Sequence, residues 1–122
     1  MSLELYPATW TTVELLVDSG SNTSGIDASV ASANGVPLGR LPWGDLSVVG
    51  GTTTQPYLDA IRAALGGDAG SGVRLRPLWV LAGSEKPIGE GADSGILGLD
   101  ALASYRASVV LDLNQGTGWI EW

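Results

Sequence analysis

The sequence predicts a small, mostly β domain, a closed barrel of many short strands with one or two short helices. Three observations predict it. Eighteen glycines and six prolines interrupt the chain often, as turns and strand ends require. The segments between them are β-branched, apolar or alternating in polarity. At 122 residues the chain has the length of one domain, residues 1–122, which buries on the order of two-thirds of the surface its unfolded form exposes.

The elements follow in order. Leu3 to Tyr6 reads as a short strand turned by Pro7-Ala8. Thr11 to Val17 (TTVELLV) is β-rich and apolar toward its end, a strand running into the core. Asp18-Ser19-Gly20-Ser21-Asn22 is a cluster of turn formers. Ile26 sits in a short extended piece, and Asp27 N-caps a helix from Ala28 to Ala33 that Asn34-Gly35 stops. Pro37 and Pro42 mark a loop. Leu46 to Val49 is a strand ending at Gly50-Gly51, and Thr52, Thr53 and Thr54 resume extended backbone, which is a hairpin signal.

Tyr57 to Leu65 (YLDAIRAAL) is divided: Ala, Leu and Arg favour helix, and pairing with the preceding hairpin favours strand. Gly66 to Gly72 is a loop. Val73 to Leu81 is a strand with Arg74 and Arg76 on one face and Val73 and Leu75 on the other. Ser84 to Ser94 is a polar loop. Ile96-Leu97-Gly98 is a short buried strand and Leu99 to Tyr105 one or two helical turns. Ala107 to Leu113 and Gly118 to Trp122 are strands joined by a turn at Asn114-Gln115-Gly116.

Composition excludes several functions. Thirteen acids oppose six bases, a net charge of −7. Without a Lys/Arg cluster, nucleic acid and anionic membrane surfaces are not expected partners. No apolar run approaches the roughly 20 residues of a membrane span, and no basic-then-apolar leader is visible, so a soluble, cytoplasmic protein is expected. The absence of cysteine and histidine removes disulfides, thiolate and imidazole metal sites, and Ser-His or Cys-His nucleophiles. No cofactor and no metal are expected. Glu85, Glu90 and Asp93 read as a solvated loop, and Trp10, Trp43 and Trp79 as packing residues. An enzyme with this composition works with carboxylates. Charged residues are only 16% of the chain, below the usual quarter, which leaves apolar surface for a partner to cover.

Two motifs carry chemistry. The first is Leu15-Leu16-Val17-Asp18-Ser19-Gly20-Ser21. An apolar strand drives Asp18 inward, and the turn brings backbone N–H groups to its carboxylate, which favours the ionised form. Asp-Ser-Gly alone is common in loops. The second, far downstream, is Gly95-Ile96-Leu97-Gly98-Leu99-Asp100-Ala101-Leu102, an apolar-apolar-Gly step into a helix. Gly98 allows close backbone approach, and Asp100 suits a helix's first turn.

Taken together and in order, an apolar strand entering Asp-Ser-Gly-Ser, a glycine hairpin and Ile-Leu-Gly-x-Asp-x-Leu resemble the retropepsin-like aspartic proteases of cellular and bacterial type. Three blocks carry the resemblance, Val13 to Ala33, Ser47 to Tyr57 and Gly95 to Trp122, over half the chain. The resemblance implies a closed retropepsin-like barrel, one lobe per chain, and decides for strand at Tyr57 to Leu65. It implies that Asp18 is the catalytic aspartate and that Ser19 holds two active-site loops together across a dimer. Gly20, Ser21 and Asn22 would meet substrate. Gly50, Gly51 and Thr52 would form a flap over it, and Ile96, Leu97 and Gly98 would pack behind the catalytic loop. Retroviral members carry Asp where Asn22 stands and Arg where Leu99 stands, and neither charge is present here.

The implied reaction needs two carboxylates sharing one proton, and one chain supplies one. Asp93-Ser94-Gly95 repeats the tripeptide but follows a polar loop, and a two-lobed enzyme needs about twice the length. The expected partners are therefore a polypeptide substrate and a second copy of the chain, with Gly118 to Trp122 as the dimer-sheet element. The alternative is a catalytically inactive retropepsin-fold dimerisation or peptide-binding module.

Overall fold

The structure is a computed structural model that describes residues 2–5, 9–18, 20–48, 50–65, 72–81 and 95–122. Ser19, the Pro7-Ala8 turn, the loop at 66–71 and the polar loop through Asp93 lie outside the described residues.

The fold is mostly β with two short helices. Its strands are β1 (Ser2–Leu5), β2 (Thr9–Thr12), β3 (Leu16–Val17), β4 (Gly25–Asp27), β5 (Trp43–Val48), β6 (Gly51–Leu58), β7 (Ile61–Ala64), β8 (Val73–Leu75), β9 (Leu78–Leu81), β10 (Gly95–Leu97), β11 (Ser108–Asp112) and β12 (Thr117–Glu121). The helices are α1 (Ala28–Ala33) and α2 (Leu99–Ser104), with a 3₁₀ turn at Leu38–Arg40. They build a four-stranded sheet ordered β2-β1-β7-β8, a six-stranded sheet ordered β3-β10-β4-β9-β6-β5, and the separate hairpin β11-β12.

Among the described residues no sheet closes into a barrel, which corrects the closed architecture expected above. Three continuous strands expected from the sequence are each broken, and the chain changes sheet at every break. TTVELLV divides at Val13–Leu15 into β2 and β3, Tyr57 to Leu65 divides at Asp59-Ala60, and Val73 to Leu81 divides at Arg76-Pro77. Pro77 has no N–H to continue a ladder. Each sheet thus ends in its own edges, β2 and β8 in one, β3 and β5 in the other.

The apolar faces of the two larger sheets meet in one core. Leu3, Ile61, Ala63 and Leu75 come from the smaller sheet, Ile26, Leu78, Val80 and Leu97 from the larger, and Ala31, Ala101 and Leu102 from the helices. All four residues of β9 are buried because it lies between β4 and β6 and is covered on both faces. The helix caps follow the sequence. Asp27 Oδ1 accepts from the Ser29 N–H at 2.8 Å, and Asn34-Gly35 ends α1, with Gly35 at φ +82°. The Tyr105 hydroxyl pins the end of α2 to β7, donating to Ala63 O and accepting from Leu65 N, both at 3.1 Å.

Two surfaces remain apolar and exposed. Leu16 and Val17 of β3 are 38% and 40% exposed, so the strand expected to run into the core is an open edge in the single chain. On the terminal hairpin, Leu111, Trp119 and Trp122 are exposed by 68%, 48% and 63%. A two-stranded ribbon is marginal by itself, and its attachment runs through Ile120 against the core and Trp122 against Tyr105, ring centroids 6.4 Å apart.

Leu78 has no exposed surface. Leu78→Ala is expected to lower unfolding free energy by about 2–5 kcal/mol, measured as a fall in urea midpoint at fixed chain concentration. A loss below about 1 kcal/mol would place β9 outside the core.

Candidate functional site

Both sequence motifs converge on one loop. β10 inserts between β3 and β4, parallel to β3 through Ile96↔Leu16 and Leu97↔Val17 and antiparallel to β4 through Gly95↔Ile26 and Ile96↔Gly25. Asp18 and residues 20–24 therefore connect the two strands that flank the one carrying Ile-Leu-Gly. This is the close packing of Ile96, Leu97 and Gly98 behind the Asp18 loop that the two motifs lead one to expect.

The loop is stitched to β10 and α2 along its length. Asp18 N donates to Leu97 O at 3.0 Å and Leu99 N to Ser21 O at 2.8 Å. Asp100 grips Ser24, accepting from its hydroxyl at 2.6 Å through Oδ1 and from its N–H at 3.1 Å through Oδ2. Gly98 N donates to the Ser24 hydroxyl at 2.9 Å. Gly98 is glycine because a Cβ there would lie 2.3 Å from Thr23 O, closer than any carbon–oxygen contact. Asp100 also accepts from Ala101 N at 2.7 Å through Oδ1. A residue expected only to favour a helix start thus anchors the loop as well.

Within the loop, Ser21 N donates to Asp18 O at 3.1 Å and closes a turn. Gly20 N donates to Asp18 Oδ1 at 2.9 Å, a bond that orients the carboxylate. A Cβ on Gly20 would lie 3.1 Å from that same oxygen. Asp18 is half-buried in the single chain, less enclosed than the sequence suggested, because β3 before it is an open edge. The Ser21 hydroxyl turns away and donates to Thr23 O at 2.7 Å.

Asp18 opens on a cleft of about 680 Å³, lined also by Gly20, Ser21, Asn22, Thr23, Ser24, Gly25, Asp45, Leu46, Ser47, Trp79, Leu81 and Ile96. The expected residues Asp18, Gly20, Ser21 and Asn22 are brought together there. The hairpin expected at Gly50-Gly51 forms from β5 and β6, with Val48 opposite Gly51 and Gly50 at φ +91°. Gly50, Gly51 and Thr52 sit at its exposed tip and do not line the cleft; Asp45, Leu46 and Ser47 of the same hairpin do. Trp79, Leu81 and Gly25 form a wall that the sequence reading passed over. The usable signal was the strand pairing of β4 with β9, which no local pattern displays.

Asp18 and Asp45 are the charged residues of this lining. Asp45 lies on the hairpin and accepts from the Thr54 hydroxyl at 3.3 Å. Among the described residues, no group of three or more acids is placed to hold a metal ion. Comparison with known proteins returns no match to a family model, a curated protein or a solved structure.

Asp100→Ala removes both bonds to Ser24. It is expected to cost about 1–3 kcal/mol and to speed amide exchange at Ser24 and Gly98 more than at Val80. Equal acceleration at all three would mean that Asp100 does not hold the loop in particular.

Proposed function

We propose that this chain is one subunit of a homodimeric aspartic endopeptidase, in which the Asp18 carboxylates of two copies activate one water. A single observation carries the proposal. Asp18 stands on a loop bonded to a strand and a helix more than seventy residues downstream, to Leu97 O through Asp18 and to Asp100 through Ser24, 76 positions away, and it shares a cleft with Asp45, Leu46 and Ser47 of the hairpin. A loop held this firmly suits a group whose position must not drift by an ångström.

The site of one chain is half a site. Its cleft holds one carboxylate at the floor, and Asp45, the other acid, is engaged across the hairpin by Thr54. The exposed Leu16 and Val17 lie immediately before Asp18, so a second copy that covers this edge also brings its own Asp18 close. The terminal hairpin offers Leu111, Trp119 and Trp122 as a second apolar contact. A two-fold axis through the Asp18 loops satisfies both at once.

The reaction needs the two carboxylates of the dimer to hold one proton between them. The ionised oxygen removes a proton from the water as it attacks the peptide carbonyl. The protonated carboxyl donates to the carbonyl oxygen as charge develops there. The carboxyl that took the water's proton then passes it to the leaving nitrogen, the other carboxylate takes a proton back from a hydroxyl of the tetrahedral carbon as the C–N bond breaks, and the pair is again in its one-proton state with no covalent intermediate. The substrate is a peptide in extended form, held between the loop at Gly20–Asn22 and the hairpin strand β5. The second reading, a binding module without chemistry, shares the cleft and differs in the outcome below.

Asp18→Asn is expected to lower cleavage of a mixed peptide library by at least about a thousand-fold while thermal unfolding and dimer sedimentation stay unchanged. Cleavage that survives the substitution would remove Asp18 from the chemistry. A wild-type protein that binds peptides and cleaves none would favour the binding module.

A further inference from the structure

Trp79 Nε1 is a buried side-chain donor with no hydrogen-bond partner among the described residues. A buried indole N–H ordinarily finds an acceptor, and an orphan of this kind needs a physical account. Its position supplies one. Along β9, Leu78 and Val80 enter the core with no exposure, while Trp79 and Leu81 project to the opposite face, the wall of the Asp18 cleft. Trp79 is only 7% exposed because β5 crosses it: a Cβ on Gly44 would lie 3.3 Å from Trp79 Cη2. On its other side the same residue borders a side pocket of about 420 Å³ with Gly44, Tyr57 and Asp59. Trp79 therefore stands between two cavities beneath the hairpin strand.

The charge around it selects the acceptor. Among the described residues, Asp18 and Asp45 line the cleft without a basic side chain. Asp45 and Asp59 border the side pocket, where Arg76 is 3.7 Å from Asp59. A carboxylate entering here meets like charge; a neutral amide does not.

We propose that Trp79 is a specificity-determining residue whose indole N–H donates to an amide side chain, Asn or Gln, of a peptide lying beneath β5 beside Leu46 and Gly25. This rests on the peptide-cleft reading above. Admitting the peptide requires β5 to lift from the ring. Because water does not reach the N–H in the closed form, a peptide without an acceptor leaves the donor unsatisfied and is discriminated against.

The test uses peptides identical except at one position, which carries Gln, Glu or Met and is scanned along the sites flanking the cleaved bond. At one site Gln is expected to exceed both Glu and Met in kcat/KM by about 3- to 10-fold. Trp79→Phe keeps a ring without the N–H and is expected to bring the Gln/Met ratio of kcat/KM, measured within that variant, down to about 1. Independently, indole ¹⁵N spectra of the non-cleaving Asp18→Asn protein contain the signals of five tryptophans. The Trp79 signal, identified by sequential assignment whether or not Trp79→Phe folds, is expected to move downfield with the Gln peptide and not with the Met peptide. Equal use of Gln and Met at every site, a Gln advantage that survives Trp79→Phe, or a Trp79 signal indifferent to the Gln peptide overturns the proposal. No cleavage with a selective Trp79 shift ends the endopeptidase reading and leaves this one. Asp18-dependent cleavage with an indifferent Trp79 does the reverse.

Discussion

The insertion of Gly95–Leu97 between β3 and β4 is the constraint on which the rest of the molecule depends. It joins two stretches of chain that have no local reason to meet, and it requires close backbone approaches that glycine permits, Gly95 against Gly25 O and Gly98 against Thr23 O. Once the strand is in place, the Asp18 loop is held at both ends. Leu97 O holds Asp18, and Asp100 with Gly98 holds Ser24. The larger sheet then grows outward through β4, β9 and β6 to the hairpin strand that roofs the cleft. The site and the core are therefore one construction, with Ile26, Val80 and Leu97 beneath the same strands that carry Gly25, Trp79 and Ile96 on the cleft side.

Much of this was legible in the residues. Asp27 and Asn34-Gly35 bounded α1 through capping chemistry that acts within one turn. Gly50-Gly51 marked the hairpin through its turn geometry. Asp18 and Ile-Leu-Gly were recognisable because turn formers and an apolar-Gly step are local patterns. What failed to show was decided by partners distant in sequence. TTVELLV looked continuous because β propensity does not report which sheet a strand joins, and its last residues stayed exposed because β3 has only β10 beside it. Trp79 read as a packing residue because alternation along β9 is hidden when both faces are buried. The closed barrel failed for a related reason: short strands specify a β domain, and closure depends on pairings between the edges.

Under the proposed dimer, a second copy is asked to complete or cover three features of the single chain. Its cleft has one carboxylate at the floor. The edge beside that carboxylate exposes Leu16 and Val17, and the terminal hairpin exposes Leu111, Trp119 and Trp122. Low overall charge fits this arrangement, since apolar surface is left for contact between copies. The exposed tip at Gly50–Thr52 and the cleft-lining segment Asp45–Ser47 belong to one hairpin, so under the proposed reading a movement that admitted a peptide would act on Trp79 as well.

Shared catalysis by two copies has a direct measurement. Wild-type chains are mixed with Asp18→Asn chains at fixed total concentration, allowed to exchange subunits, and assayed for peptide cleavage. If each active centre takes one Asp18 from either copy, activity falls as the square of the wild-type fraction. A linear fall would mean that each chain works alone and would contradict the account.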